Sequence, residues 1–233
     1  MPDLLALAAF LDTVLEANTY SPREDTLYRH SLRPVARLGL ALEANFDVWT
    51  WAQAQGLDAV FLHRPWKIDS QSMPPDIGIL MSHAPFDGHL TLGVNPRLAL
   101  VLGFTHWEPF GSKDGRPLGM LGHIFPAPFD TLRLTLEDIF GGLDCAHAGT
   151  ADTITTVAVV NAMTDAVVRE AAARGAQAYV TGQERTVARP AVEETGISIA
   201  AVGHRRCEQW GLRALAGLLR ERWAGLEVCV REA

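Results

Sequence analysis

Cysteine is scarce in this chain: Cys145, Cys207 and Cys229 are the only three in 233 residues. They are far apart and odd in number, and no Cys-x-x-Cys pair occurs, which argues against a disulfide framework or a zinc ribbon. Such thiol usage suits a reducing compartment, and a cytoplasmic protein is expected. Positive charge is equally thin. The 20 Lys and Arg are scattered among 27 Asp and Glu, giving a net charge of −7. No basic stripe is available for nucleic acid, so no nucleic-acid partner is expected. No apolar run approaches the roughly 18 residues of a membrane span. The opening Met1-Pro2-Asp3 lacks the basic region and cleavage site of a secretory leader. Low-complexity segments and short-period repeats are also missing.

What remains is 48% apolar and 20% charged, enough for one large domain or two small lobes around a sizeable core. Leu4 to Leu15 has the spacing of an amphipathic helix, and Glu43 to Gln55 reads as a second helix stopped by Gly56. Ala59–Leu62 and Ile77–Met81 are short apolar runs of the kind buried on both faces of a sheet. Leu92 to Leu102 reads as a helix. Farther on, strand candidates at Val157–Val160, Ala178–Val180, Ile197–Val202 and Leu226–Val230 alternate with helix candidates at Asp165–Arg174, Arg189–Glu194 and Cys207–Trp223. This rhythm predicts an α/β fold of two lobes, each a mostly parallel sheet covered by helices. The stretch Trp107–Gly122, rich in glycine and proline, is taken as the boundary, giving lobes of residues 1–110 and 111–233.

Three strand ends carry histidine: His63, His83 and His204. Ligands of α/β sheets bind beyond the carboxyl ends of strands, so these positions are favoured. Two of the three have a carboxylate four residues later, Asp87 after His83 and Glu208 after His204. On a helix that spacing stacks both side chains on one face. Imidazole with carboxylate suits Zn, Fe, Mn, Ni or Co without separating them, and shared carboxylates can assemble a two-metal centre. A structural histidine hydrogen-bonded at a strand end is the competing reading for each one singly. His30, His106, His123 and His147 have no partner at a useful spacing, Cys207 reads as packing, and the tryptophans read as core or contact residues.

Two blocks carry a resemblance. Ser-His-Ala-Pro-Phe-Asp-Gly with Leu-Gly-Val-Asn-Pro-Arg-Leu-Ala spans Ser82 to Ala99; Gly-Ala-Gln-Ala-Tyr-Val-Thr-Gly-Gln (Gly175 to Gln183) is followed by Gly-His-Arg-Arg-Cys-Glu (Gly203 to Glu208). In order and over roughly Phe61 to Leu219, the chain resembles the NIF-three-like dinuclear metal centre proteins, also known as GTP cyclohydrolase I type 2 homologs. The resemblance implies a two-lobed α/β subunit, a toroidal hexamer, and a two-metal site between the lobes at strand ends, with ligands at His63, His83, Asp87, His204 and Glu208.

The chain departs from that pattern in three places. Arg64 stands where the family carries a second adjacent histidine, and a guanidinium has no lone pair for a metal. It either holds an anionic group or makes an ordinary salt bridge. Gln183 replaces a glutamate, and Asn161-Ala162-Met163 replaces a glycine-rich turn that would cradle phosphate. The reading that results is one or two divalent ions per subunit, serving a metal-dependent hydrolase of a small molecule such as a nucleotide. The alternative is a non-catalytic metal-binding, delivery or scaffold protein forming a ring.

Overall fold

The computed structural model describes residues 1–66, 68 and 71–232. The first helix, α1 (Leu4–Val14), starts where the Asp3 carboxylate accepts the Ala6 N–H at 2.8 Å. An 11-residue helix is marginal alone in water, so its order comes from burying Leu4, Leu7 and Leu11. Each such leucine contributes about 1.5–3 kcal/mol. After β1 (Leu27–Arg29) and β2 (Arg37–Glu43), α2 (Phe46–Ala54) is capped by Asn45, and β3 (Ala59–Arg64) and β4 (Gly78–Met81) follow. Strand β4 opens on a glycine because α1 lies on it: a Cβ at Gly78 would stand 2.3 Å from Leu4 Cδ1. On β3, Val60 and Leu62 face a core with Val48, Trp49 and Ala52 of α2. Phe61 and His63 therefore point to the opposite face, where both rings meet Phe86.

The chain continues through α3 (Ala84–Leu90), α4 (Pro96–Val101), the antiparallel pair β5 (His106–Phe110) and β6 (Gly119–Ala127), and α5 (Phe129–Phe140). Next come β7 (Cys145–His147), β8 (Ile154–Val160), α6 (Asp165–Ala173), β9 (Ala178–Thr181), α7 (Arg189–Thr195), β10 (Ser198–Ala201), α8 (His204–Arg222) and β11 (Glu227–Val230). Strand β8 is apolar nearly throughout because both its faces are covered. Val157 and Val159 pack with Phe129, Leu132, Leu136 and Phe140 of α5, while Ala158 and Val160 pack with Val168 of α6 and Ala191 of α7.

Two sheets result, in the orders β1-β4-β3-β2-β11 and β5-β6-β8-β9-β10-β7. Parallel pairing joins β2 to β3, β3 to β4, β2 to β11, β8 to β9 and β9 to β10. The pairs β1–β4, β5–β6, β6–β8 and β7–β10 are antiparallel. The α/β class with two helix-covered sheets is as expected, but both sheets are mixed, and in the second three of the five pairs are antiparallel, so that sheet is not the mostly parallel one expected. Among the described residues no helix is long and apolar enough to cross a membrane.

By contacts, one unit comprises Met1–Phe86 with Gly211–Ala233, and the other Asp87–Trp210. The expected boundary at Trp107–Gly122 instead forms the β5–β6 hairpin inside the second unit, where its glycines and prolines serve a turn. The C-terminal part of α8 and β11 return to the first unit, with β11 pairing along β2. Strand β2 replaces a stretch the sequence left unassigned, α3 is an additional helix, and α8 begins at His204 rather than Cys207.

Candidate metal centre

Strands β3 and β4 run parallel with Leu62 opposite Met81, so their carboxyl ends lie side by side. That places His63, near the end of β3, beside the residues just after β4. His63 is fully buried, and its Nδ1 is 3.1 Å from the carbonyl oxygen of Ser82. A carbonyl only accepts, so Nδ1 carries the proton and Nε2 keeps the lone pair a metal requires. The imidazole of His83 stacks on that of His63, with ring centroids 4.8 Å apart, and Trp66 packs edge-on against it at 4.7 Å. Both oxygens of Glu24 accept backbone N–H groups here, His83 N at 2.6 Å and Ala84 N at 2.9 Å. This carboxylate fixes the entrance of α3, and Asp87 follows in its first turn. Ligand atoms of His63, His83 and Asp87 all lie within 4.8 Å of one another.

In the second unit, Gly203 joins β10 to α8 with φ +92°, a left-handed conformation that favours glycine. His204 then opens α8, and its Nε2 is 3.0 Å from Oε1 of Glu208 one turn later. The His204 side chain is 63% exposed and that of Glu208 0%. A fully buried carboxylate is costly unless a cation compensates it. Cys207, on the same turn, is buried among the core residues and its thiol donates to the His204 carbonyl at 2.9 Å. Burial first, then the charges of Glu208 and Asp87, push that thiol far above its ordinary range, so it acts as packing rather than as a ligand.

A cleft of about 670 Å³ opens at the ends of the second unit's strands, lined among others by Asn161, Thr164, Gly182, Arg185, His204 and Arg205. Its size suits a small-molecule ligand. Asn161, in place of the expected glycine-rich turn, donates to the Asp87 carbonyl at 2.6 Å and accepts from the Thr91 hydroxyl at 2.9 Å. It braces the helix that carries Asp87 instead of cradling phosphate.

The donor set fits a divalent ion on this structure's own terms. Two stacked imidazoles and a carboxylate converge, and one ring is oriented by a backbone carbonyl, as in metal sites generally. The hydroxyls of Ser82 and Thr181, buried at the ends of β4 and β9, have no hydrogen-bond partner among the described residues. Arg64 is half-buried and bonds Glu43 at 3.3 Å, its direct cross-strand partner, in line with the salt-bridge reading. His123 bonds the Thr156 hydroxyl at 3.1 Å and stacks near His106. His147, read from sequence as partnerless, lies 3.3 Å from Glu184. Sequence reasoning also missed Glu24, which sits in a polar stretch with no motif, and a second cluster of Cys145, His147 and Glu184. The latter's one signal was Cys-Ala-His, whose alternate residues share a strand face.

A relative from Halobacterium salinarum named GTP cyclohydrolase 1 type 2 homolog is 33% identical over 165 residues, covering 69% of this chain and 64% of that relative. A protein of the same name from Deinococcus radiodurans is 23% identical, over 92% of this chain and 88% of its own. Among solved structures, a protein described as ybgI, of unknown function, superposes with TM-score 0.79 at 24% identity, over 100% of this chain and 98% of its own. That likeness supports the fold. Because the model of the Duf34/NIF3 (NGG1p interacting factor 3) family matches residues 30–233, the chain belongs to that family.

Proposed function

We propose that His63, His83, Asp87, His204 and Glu208 together hold one or two divalent ions, and that the protein is a metal-dependent hydrolase of a small molecule. The observation that carries this reading is the convergence of His63, His83 and Asp87 within 4.8 Å around a ring whose protonated nitrogen is already engaged. The buried Glu208 carboxylate beside His204 supports it. When bound, a divalent ion supplies Lewis acidity and lowers the pKa of a water toward neutrality. The chain's own part is positioning. Ser82 holds the His63 ring, Glu24 holds the backbone of His83, and Asn161 holds that of Asp87. Arg185 and Arg205 at the cleft supply positive charge for an anionic substrate group. The name of the relatives makes a nucleotide the first substrate class to assay. Cytoplasmic residence and a ring of six subunits complete the reading.

The test is metal analysis of the purified protein beside a panel of hydrolase assays that includes nucleotides, wild type against Glu208→Ala. Metal-dependent turnover lost in the variant supports catalysis. Stoichiometric metal without turnover on any substrate favours binding or delivery. Absence of metal from metal-replete protein sinks both readings. Light scattering on a sizing column reads the subunit number.

A further inference from the structure

A second group of metal-ligating side chains lies apart in sequence from those five residues. Strand β7 is the edge strand of the second sheet and pairs antiparallel with β10, Cys145 opposite Ala201 and His147 opposite Ile199. Ala146 packs into the core on one face of that sheet, while Ile199 belongs to the core on the other. The pleat therefore sends Cys145 and His147 together to the Ile199 face. Glu184 reaches them from the connection after β9. Its Oε2 accepts from the Cys145 thiol at 3.1 Å and lies 3.3 Å from His147 Nε2, and ligand atoms of all three residues lie within 4.8 Å of one another.

We propose that Cys145, His147 and Glu184 form a separate mononuclear site for a zinc-class divalent ion, with its fourth position open to water. Tetrahedral zinc with bonds of about 2.0–2.3 Å places sulfur, nitrogen and oxygen ligands about 3.4–3.6 Å apart. The separations from Glu184, 3.1 Å to sulfur and 3.3 Å to nitrogen, are already close to that. One thiolate, one imidazole and one carboxylate favour Zn²⁺ or Co²⁺ over the harder ions. The His147 side chain is 60% exposed, so the ion enters from solvent. Without metal, burial and then Glu184 push the Cys145 thiol up to about 11, and it donates its proton to Glu184. Binding exchanges that proton: thiol plus divalent ion gives metal thiolate plus one proton released. Asp144 beside Cys145 adds negative charge, and Arg189 is the positive neighbour of Glu184.

The site is told apart from the first centre by its sulfur, since none of those five ligands is a cysteine. Co²⁺ titration of the full-length protein should raise a thiolate-to-cobalt charge-transfer band in the near ultraviolet, with one proton released per ion bound at this site. The band should vanish in Cys145→Ser and persist in His204→Ala. Competition with a chromophoric chelator should show zinc affinity at this site falling by more than about tenfold in His147→Ala and Glu184→Gln, because loss of a ligand exceeds the 10–100-fold typical of outer-shell partners. His147 is exposed, so its removal leaves the fold in place and keeps the test decisive. A wild-type protein without the band, or a band unchanged in Cys145→Ser, overturns the proposal.

Discussion

The imidazole of His204, mostly exposed, rests its Nε2 3.0 Å from a Glu208 oxygen whose side chain is wholly buried. Burying a carboxylate is costly, and a bound cation would offset part of that cost.

Glu208→Gln separates the two roles. The amide keeps the shape and removes the charge, so each protein is compared with its own metal-free form. Saturating metal at about 100 times Kd should stabilise the wild type by about 2.7 kcal/mol. At about 2–4 °C per kcal/mol for a chain of this size, that is a rise of roughly 5–10 °C. The variant should lose most of it. Thermal scans with and without chelator read the difference; an undiminished rise would show that Glu208 is no ligand.

Glu24→Ala removes the acceptor of two backbone N–H groups at the entrance of α3. Charge-assisted bonds at a helix start are worth about 1–2 kcal/mol, and the partial exposure of Glu24 puts the loss at the lower end. Urea unfolding should show it. Metal affinity should weaken as well, because the His83 backbone is then less constrained. Weaker unfolding resistance with unaltered affinity would confine Glu24 to a structural part.

Gly203→Ala places a Cβ at φ +92°, 2.5 Å from Arg206 Nη1 and 3.0 Å from Asp144 Oδ1. The arginine tip can move, but the left-handed backbone cannot be relieved, so a cost of about 1–3 kcal/mol is expected. A lowered Tm together with lost metal-induced stabilisation would show that the turn sets the pose of His204.

Tyr179 donates its hydroxyl to the Ala162 carbonyl, and burial raises its phenol far above the usual value of 10.0. Because the folded pKa is the higher one, the stability it contributes is complete below pH 10 and declines as pH rises beyond it. In an alkaline absorbance titration one tyrosine should therefore ionise only as the protein unfolds, and Tyr179→Phe should remove that phase. The variant should also lose about 1 kcal/mol at neutral pH through the missing hydrogen bond. A phase that survives in the variant would assign it to another tyrosine.

Much of the architecture could be read in advance because its signals are local. The doubly covered strands around Phe61, Val159 and Ile199 are continuous apolar runs, and the four-residue step from His204 to Glu208 is a helix turn wherever it occurs. What escaped depended on distant packing. Strand β2 went unassigned, and its Gly39 is bare because Leu57 and Trp51 press against it, with a Cβ there standing 2.4 Å from Leu57 Cδ1. Pro85 and Gly88 disguised α3, although proline is tolerated in a first turn. Glu184 meets Cys145 across 39 residues of sequence, and no spacing rule anticipates that.

The return of α8 and β11 to the first unit has a bearing on biosynthesis. Residues Asp87–Trp210 are contiguous and can complete their core while the chain is still emerging from the ribosome. The first unit cannot. Strand β2 waits for β11 as its neighbour, and Leu212, Leu215 and Leu219 arrive only after the whole second unit has been made. His63 and His83, made early, thus stay on an unfinished scaffold until residues 211–230 have been added.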